Sequence, residues 1–235
     1  MISEAIVLAG GFGTRLQPVV NDLPKSMAPV RGRPFLEYLF DYLLAGGIGT
    51  VVLSVGYKSE AIQAHFGEEY RSLKVRYAFE QEPLGTGGGI RKAFGLVEGP
   101  EAIVLNGDSL FRISLPDMQA FHRAGGGLLT IALRYIQDTS RYGSVGIDFL
   151  HRVKGFAEKK DNAGPGYING GIYILNKEFM TGELFPEKFS VEKDCFEKYC
   201  RDYAMLGFAA EGYFLDIGIP EDYAKAQDEF KELEY

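Results

Sequence analysis

Four short apolar runs, at residues 5–9, 51–55, 75–79 and 102–105, punctuate the first half of the chain, and each of the first three leads into a segment with helical spacing. That alternation predicts a parallel α/β sheet. Between the first two runs, Pro34 opens a helix in which Phe35, Leu36, Leu39, Phe40, Leu43 and Leu44 form one apolar face, ended by Gly46-Gly47. Tyr38 and Tyr42 read with Phe35 and Phe40 as core or interface rather than as a stacking platform.

After Asp108 the texture changes. Residues 128–136, 143–147, 153–157 and 167–175 are strand-like and separated by short turns, with one helix, 116–124, before them. This half extends the sheet with antiparallel strands. Helices over 190–201 and 220–233 complete the chain, the last with Glu221 and Asp222 in its first turn. No repeat or linker interrupts the 235 residues, and 46% hydrophobic side chains suit a single domain with a filled core.

A net charge of −7, with Lys and Arg outnumbered and scattered, argues against a nucleic-acid surface. Cys195 and Cys200, with no histidine nearby, read as reduced structural thiols. His65, His122 and His151 share no motif. No leader and no bilayer-length apolar run is present, so a cytoplasmic protein without membrane contact is expected.

In open α/β sheets ligands bind beyond the carboxyl ends of the strands. Chemistry-bearing residues follow three of the runs. The first is followed by Gly10-Gly11-Phe12-Gly13-Thr14-Arg15-Leu16, where glycines let backbone N–H groups approach an anion and Arg15, with Lys25 beyond, adds positive charge. Leu16 stands where the dinucleotide fingerprint needs its third glycine, and no GxxxxGK[ST] occurs. The third run leads into residues 80–89, and the fourth into Asn106-Gly107-Asp108. Magnesium is usually held by one or two carboxylates plus phosphate oxygens, which makes Asp108 a candidate ligand and Asp216, near a second strand end, its partner. Either aspartate alone is equally a turn or cap residue.

Leu8-Ala9-Gly10-Gly11-Phe12-Gly13-Thr14-Arg15-Leu16, Pro24-Lys25, Pro83-Leu84-Gly85-Thr86-Gly87, Asn106-Gly107-Asp108, Glu158-Lys159, Asn169-Gly170-Gly171-Ile172-Tyr173 and Asp216-Ile217-Gly218 together resemble the sugar-1-phosphate nucleotidyltransferases. Singly several are weak; seven in family order are specific. The resemblance implies a Rossmann-like mixed, mostly parallel central sheet flanked by helices, with a small antiparallel sugar-binding extension. The nucleotide-binding half is then about 1–110, and the sugar-phosphate half about 111–235. By the same resemblance Leu8, Ala9, Gly10, Gly11, Gly13, Thr14 and Arg15 wrap a nucleoside triphosphate, with Arg15 on the departing pyrophosphate. Lys25 bridges the α-phosphate and the incoming sugar phosphate, and Asp108 and Asp216 hold magnesium. On the sugar side Gly143 offers backbone, Glu158 and Asn169 bind hydroxyls, Lys159 holds the sugar phosphate, and Gly170 with Gly171 favours close ligand approach. No general base is needed, because the attacking phosphate oxygen is already ionised; positioning and charge neutralisation dominate.

Glu80 lies where family members that take thymine or uracil often place an amide. A carboxylate only accepts hydrogen bonds, and guanine offers two adjacent donors, which points to GTP; Gly85 and Thr86 add backbone contacts. The alternative is that Glu80 caps its loop. Residues 85–89, 141–145 and 189–194 are most similar to the members that act with GTP on D-glycero-D-manno-heptose 1-phosphate, in making surface glycan precursors. Mannose-1-phosphate guanylyltransferases and the uridylyl or thymidylyl members share nearly every motif. A regulatory nucleotide-binding module would not need the bridging lysine and paired carboxylates. A sugar transferase would carry Asp-x-Asp, which Asn106-Gly107-Asp108 is not. Ser26 replaces the proline that often follows the lysine, so a less rigid lysine loop is expected. The chain lacks a carboxy-terminal β-helix, so a single activity is expected. Oligomeric state is open, a homodimer among the possibilities.

Overall fold

The computed structural model describes residues 1–11, 16, 23–157 and 164–233. The first half runs β1 (Glu4–Leu8), β2 (Pro29–Val30), β3 (Arg33–Pro34), α1 (Phe35–Ala45), β4 (Thr50–Val55), α2 (Ser59–Phe66), β5 (Glu69–Tyr70), β6 (Leu73–Phe79), α3 (Gly85–Phe94), β7 (Glu101–Asn106) and β8 (Ser109–Phe111). It is followed by α4 (Leu115–Gly125), β9 (Leu129–Ile136), β10 (Ser144–Ile147), β11 (Val153–Ala157), β12 (Gly166–Asn176) and α5 (Lys177–Thr181). A π-wound helix (Val191–Glu197), β13 (Met205–Ala210), β14 (Phe214–Asp216) and α6 (Pro220–Glu229) come last.

Eight strands form one sheet in the order β13-β9-β12-β7-β1-β4-β6-β5. β7, β1, β4 and β6 are mutually parallel, as the alternating pattern predicts. β12 pairs antiparallel with both β7 and β9, so the later half continues the same sheet. The β10–β11 hairpin is the small antiparallel addition. β13, an apolar run that was not among the strands expected, joins β9 as a parallel edge strand.

Alternate residues of each central strand serve opposite layers. Ala5, Val7, Val51, Leu53, Ile103 and Leu105 face a core shared with α1, α2, α4 and α6. Ile6, Val52, Ala102 and Val104 face another, shared with α3, α5 and the π-wound helix. The apolar face expected of α1 is buried, and so are the tyrosines expected as core or interface, Tyr38 and Tyr42. Phe230, just beyond α6, stacks edge-on against Tyr38 at 4.8 Å while the sheet covers the opposite side. The buried carboxylate of Asp41 on this helix is compensated by Arg33 at 2.7 Å and Arg71 at 3.1 Å.

Two helices are shorter than the sequence pattern suggests. The segment expected over 190–201 is wound as a π-helix only from Val191 to Glu197, entered through Ser190, whose hydroxyl accepts from Lys193 N at 3.2 Å. The last helix stops at Glu229 and tightens into a 3₁₀ turn, Phe230–Glu232, which brings Phe230 down onto α1. Among the described residues no helix is long and apolar enough to cross a membrane.

Candidate active site

Chain order reverses at β1: β4 and β6 lie to one side, and β7 returns to the other. A crevice opens at such a switch point, outside the carboxyl ends of the strands. A cavity of about 620 Å³ occupies it. Each parallel strand supplies a wall: Leu8 to Gly11 after β1, Gly56 and Tyr57 after β4, Glu80 to Pro83 after β6, and Asn106 to Asp108 after β7. Lys25, Ser26, Gly85, Thr86, Glu192 and Gly218 complete the lining.

The residues expected at the nucleotide side therefore converge wherever the structure describes them. Leu8, Ala9, Gly10, Gly11, Glu80, Gly85 and Thr86 all border this one cavity, with Lys25 and Asp108. Gly13, Thr14 and Arg15 lie outside the described residues, as do Glu158 and Lys159.

Lys25 begins a 3₁₀ turn, Lys25–Met27, held by Met27 N donating to Pro24 O at 2.8 Å. Its ammonium lies 2.5 Å from Asp108 Oδ2 and 3.9 Å from Asp216 Oδ1. Asp216 reaches this point through the antiparallel β8–β14 ribbon, in which it pairs with Ser109, and Ile217 N donates to Asp108 O at 2.9 Å. The loop that was expected to be loosened by Ser26 is instead packed. Ser26 is buried at 3% exposure, and its hydroxyl has no hydrogen-bond partner among the described residues.

Glu80 is tied on both oxygens. The buried Ser54 hydroxyl donates to Oε1 at 2.7 Å, and Leu84 N donates to Oε2 at 3.0 Å. The carboxylate thus does cap its loop, and it borders the cavity as well. Each oxygen accepts two hydrogen bonds at full capacity, so one acceptor position on each is left.

The glycine run after Glu80 is helical, not an open loop, and most of its missing side chains make room for the protein itself. A Cβ on Gly87 would lie 2.2 Å from the Phe189 ring, and one on Gly89 would lie 2.9 Å from Glu80 Oε1. Gly87 N donates to Phe189 O, so that amide faces the later half of the chain and not a ligand.

The sugar-side expectations are redrawn. Gly143, Asn169 and Gly170 are not among the residues lining the cavity. Gly143 spends its N–H on Thr139 O at 2.9 Å, which leaves only its carbonyl. At Gly170 and Gly171 the room left by the missing side chains is taken by the protein itself. Phe111 fills the space over Gly170, where a Cβ would be 2.4 Å from the ring, and Ser109 and Asn106 crowd Gly171. Asn169 turns inward, donating to Tyr173 OH and accepting from Gly171 N, each at 2.9 Å. Burial pushes the Tyr173 phenol far up, Glu192 adding to the shift, so the ring is a neutral wall behind the site. Gly56 and Tyr57 escape the sequence reading, and Glu192 enters it only within the resembling segment 189–194, without a role. Tyr57 had a usable signal, its place directly after Gly56 at the end of β4.

Metal donors are sparse. Among the described residues no group of three or more His, Cys, Asp or Glu is arranged to hold an ion. Two carboxylates gathered around one ammonium remain, and hard oxygen donors of that number suit an ion that takes its other ligands from phosphate and water.

A crevice at a sheet switch point, bordered by a glycine turn, a lysine and an aspartate, with a second aspartate within 3.9 Å of that lysine, suits an enzyme that handles phosphorylated substrates. The chain belongs to the nucleotidyl transferase family, whose model matches residues 4–232. It is 46% identical over 228 residues to the D-glycero-alpha-D-manno-heptose 1-phosphate guanylyltransferase of Aneurinibacillus thermoaerophilus, covering 97% of this chain and 98% of that protein. The protein of the same name from Campylobacter jejuni is 42% identical, with 94% and 96% covered. Among solved structures, HddC from Yersinia pseudotuberculosis complexed with GMP-PN superposes with a TM-score of 0.86 at 37% identity, covering 97% of this chain and 100% of that one.

Proposed function

We propose that the chain transfers GMP from GTP to a sugar 1-phosphate, D-glycero-α-D-manno-heptose 1-phosphate, releasing pyrophosphate and a GDP-sugar for surface glycan synthesis. One observation carries the reading: Lys25 lies 2.5 Å from Asp108 and 3.9 Å from Asp216, on a cavity that the anchored carboxylate of Glu80 also borders. The names and the bound GMP-PN of its relatives support the same base and sugar.

An ionised oxygen of the sugar phosphate attacks the α-phosphorus of GTP, and the bond from that phosphorus to the oxygen bridging to the β-phosphate breaks. No proton has to be removed, so the chain needs no general base. Backbone N–H groups at Gly10 and Gly11 are placed for the triphosphate, and the Lys25 ammonium draws the α-phosphate and the incoming phosphate together. Glu80 accepts from the guanine ring N–H and amino group on the acceptor positions that Ser54 and Leu84 leave. Asp108 and Asp216 would hold magnesium. When bound, that ion would offset phosphate charge and polarise a phosphoryl oxygen.

The test is a pyrophosphate-release assay crossing four nucleoside triphosphates with mannose, glucose and heptose 1-phosphates, with and without magnesium. The expected result is turnover for GTP with the heptose phosphate alone among the pairs at comparable rate, abolished by chelation. Preference for mannose 1-phosphate or for UTP would overturn it.

A further inference from the structure

We propose that Glu192 is a specificity-determining residue that accepts hydrogen bonds from ring hydroxyls of the sugar phosphate. The inference rests on the reading above, that the cavity takes a nucleotide and a sugar phosphate together. Among the described carboxylates that border the cavity, Glu192 alone comes from a helix of the later half, the first turn of Val191–Glu197; Glu80, Glu82 and Asp108 follow strands of the earlier one.

Its orientation is over-determined. Oε2 accepts from Thr86 Oγ1 at 2.8 Å and from Ser190 Oγ at 2.9 Å. Both hydroxyls are themselves fixed by backbone donors, Thr86 by Val191 N at 2.9 Å and Ser190 by Lys193 N at 3.2 Å. Two hydroxyl protons spent on one oxygen leave Oε1 as an acceptor at the edge of the cavity.

No lysine, arginine or histidine is paired with this carboxylate among the described residues, whereas Glu37, Asp41, Asp108 and Asp222 each face one. An acceptor-only group of uncompensated charge repels phosphate and favours a neutral, donor-rich part of a ligand. Sugar hydroxyls are such donors. The place of Glu192 selects the sugar rather than the base. Its helix lies against Tyr173 through Phe196, ring centroids 5.0 Å apart, and the Tyr173 hydroxyl accepts at 2.9 Å from Asn169, a sugar-side residue by the resemblance. Glu80 stands instead against Gly10 and Ser54, where a Cβ on Gly10 would come within 3.2 Å of its carboxylate. The two acids so divide the cavity, Glu80 toward the base and Glu192 toward the hydroxyls of the acceptor.

The experiment is steady-state kinetics on the full chain and its Glu192→Ala and Glu192→Gln variants. Each substrate is varied with the other saturating, using heptose 1-phosphate and its monodeoxy analogues. GTP binding and thermal melting are measured alongside. Glutamine keeps a carbonyl oxygen for Thr86 and Ser190, so it preserves the brace while removing the charge. The expected result for Glu192→Ala is a KM for the sugar phosphate raised roughly tenfold to a hundredfold, with kcat and the KM for GTP within about threefold of wild type. Glu192→Gln should fold normally and show a smaller rise. Deleting the contacted hydroxyl should lower kcat/KM in wild type and leave Glu192→Ala unaffected. A rise in the KM for GTP with that for sugar unchanged assigns the residue to the ribose and overturns the proposal. Equal losses for every analogue with a lowered Tm reduce it to a brace and also overturn it. Failure of the underlying function is distinguishable, since wild type would then release no pyrophosphate with any sugar phosphate.

Discussion

The ammonium of Lys25 lies 2.5 Å from a carboxylate oxygen of Asp108, although 83 residues separate the two in the chain. The pair is nearly sealed on the lysine side, at 11% side-chain exposure, and more open on the aspartate side, at 39%. The lysine is therefore the counter-ion of the acidic pair. Lys25→Met should lower kcat by about 10²–10³-fold, the usual loss for one well-placed charge-stabilising group, and Asp108→Asn should do the same. The same lysine variant should show a larger rise in Tm on adding magnesium than wild type, because the ion no longer competes with an ammonium. Pyrophosphate release and thermal melts check both halves; turnover near wild type in either variant would remove these residues from the site.

Glu80 is expected to read the two adjacent donors of guanine. Glu80→Gln replaces one acceptor by a donor, so kcat/KM for GTP should fall roughly tenfold to a hundredfold. Inosine triphosphate, which lacks the amino group, should suffer less. Equal losses for both nucleotides would mean that the residue only anchors Leu84.

Ser26 buries a hydroxyl that has no partner among the described residues. An unsatisfied buried polar group costs about 1–3 kcal/mol, and Ser26→Ala removes it with little change in volume. The variant should melt higher than wild type by a few degrees, about 2–4 °C per kcal/mol for a chain of this size. A lower Tm would show that the hydroxyl is satisfied in solution.

Stability should fall in alkali. Burial pushes the Cys195 thiol from 9.0 up to about 12, with Glu192 adding to it, and burial likewise carries Tyr77 from 10.0 to about 12. Below the ordinary values both states hold these protons. Between pH 9 and 12 the unfolded chain releases them while the folded chain does not, so stability is lost as pH rises through that window. Melting curves from pH 8 to 11 should show a falling Tm. Cys195 should also resist thiol labelling at pH 8 over minutes, and rapid labelling or a flat Tm profile would contradict the burial.

Periodicity made the parallel half of the fold legible, because strands buried on both faces read as short apolar runs ended by glycine or acid. It failed where a segment's environment, not its own pattern, decides its state. The pattern of α1 marks its apolar face, with Tyr38 and Tyr42 as core or interface, but not that Phe230, from the far end of the chain, covers Tyr38. At the site, residues placed directly after strands were foreseeable from the rule that ligands bind there. Glycines were ambiguous: Gly10 and Gly11 border the cavity, yet Gly87 and Gly170 owe their small size to Phe189 and Phe111. A sequence shows that a side chain is missing but not what occupies its space. Glu192 was hidden for another reason, since its partner Thr86 is 106 residues away.

The β8–β14 ribbon, which sets Asp216 beside Asp108, has a consequence for synthesis as well as for geometry. A ribosome that has made the first hundred and fifty residues has already released the strands of the parallel sheet and the turns around its crevice, but the second acid has yet to be translated. Nascent chains therefore pass through a long interval with an incomplete acidic pair, and assembly of that pair waits for one of the last strands to find one from the middle of the chain.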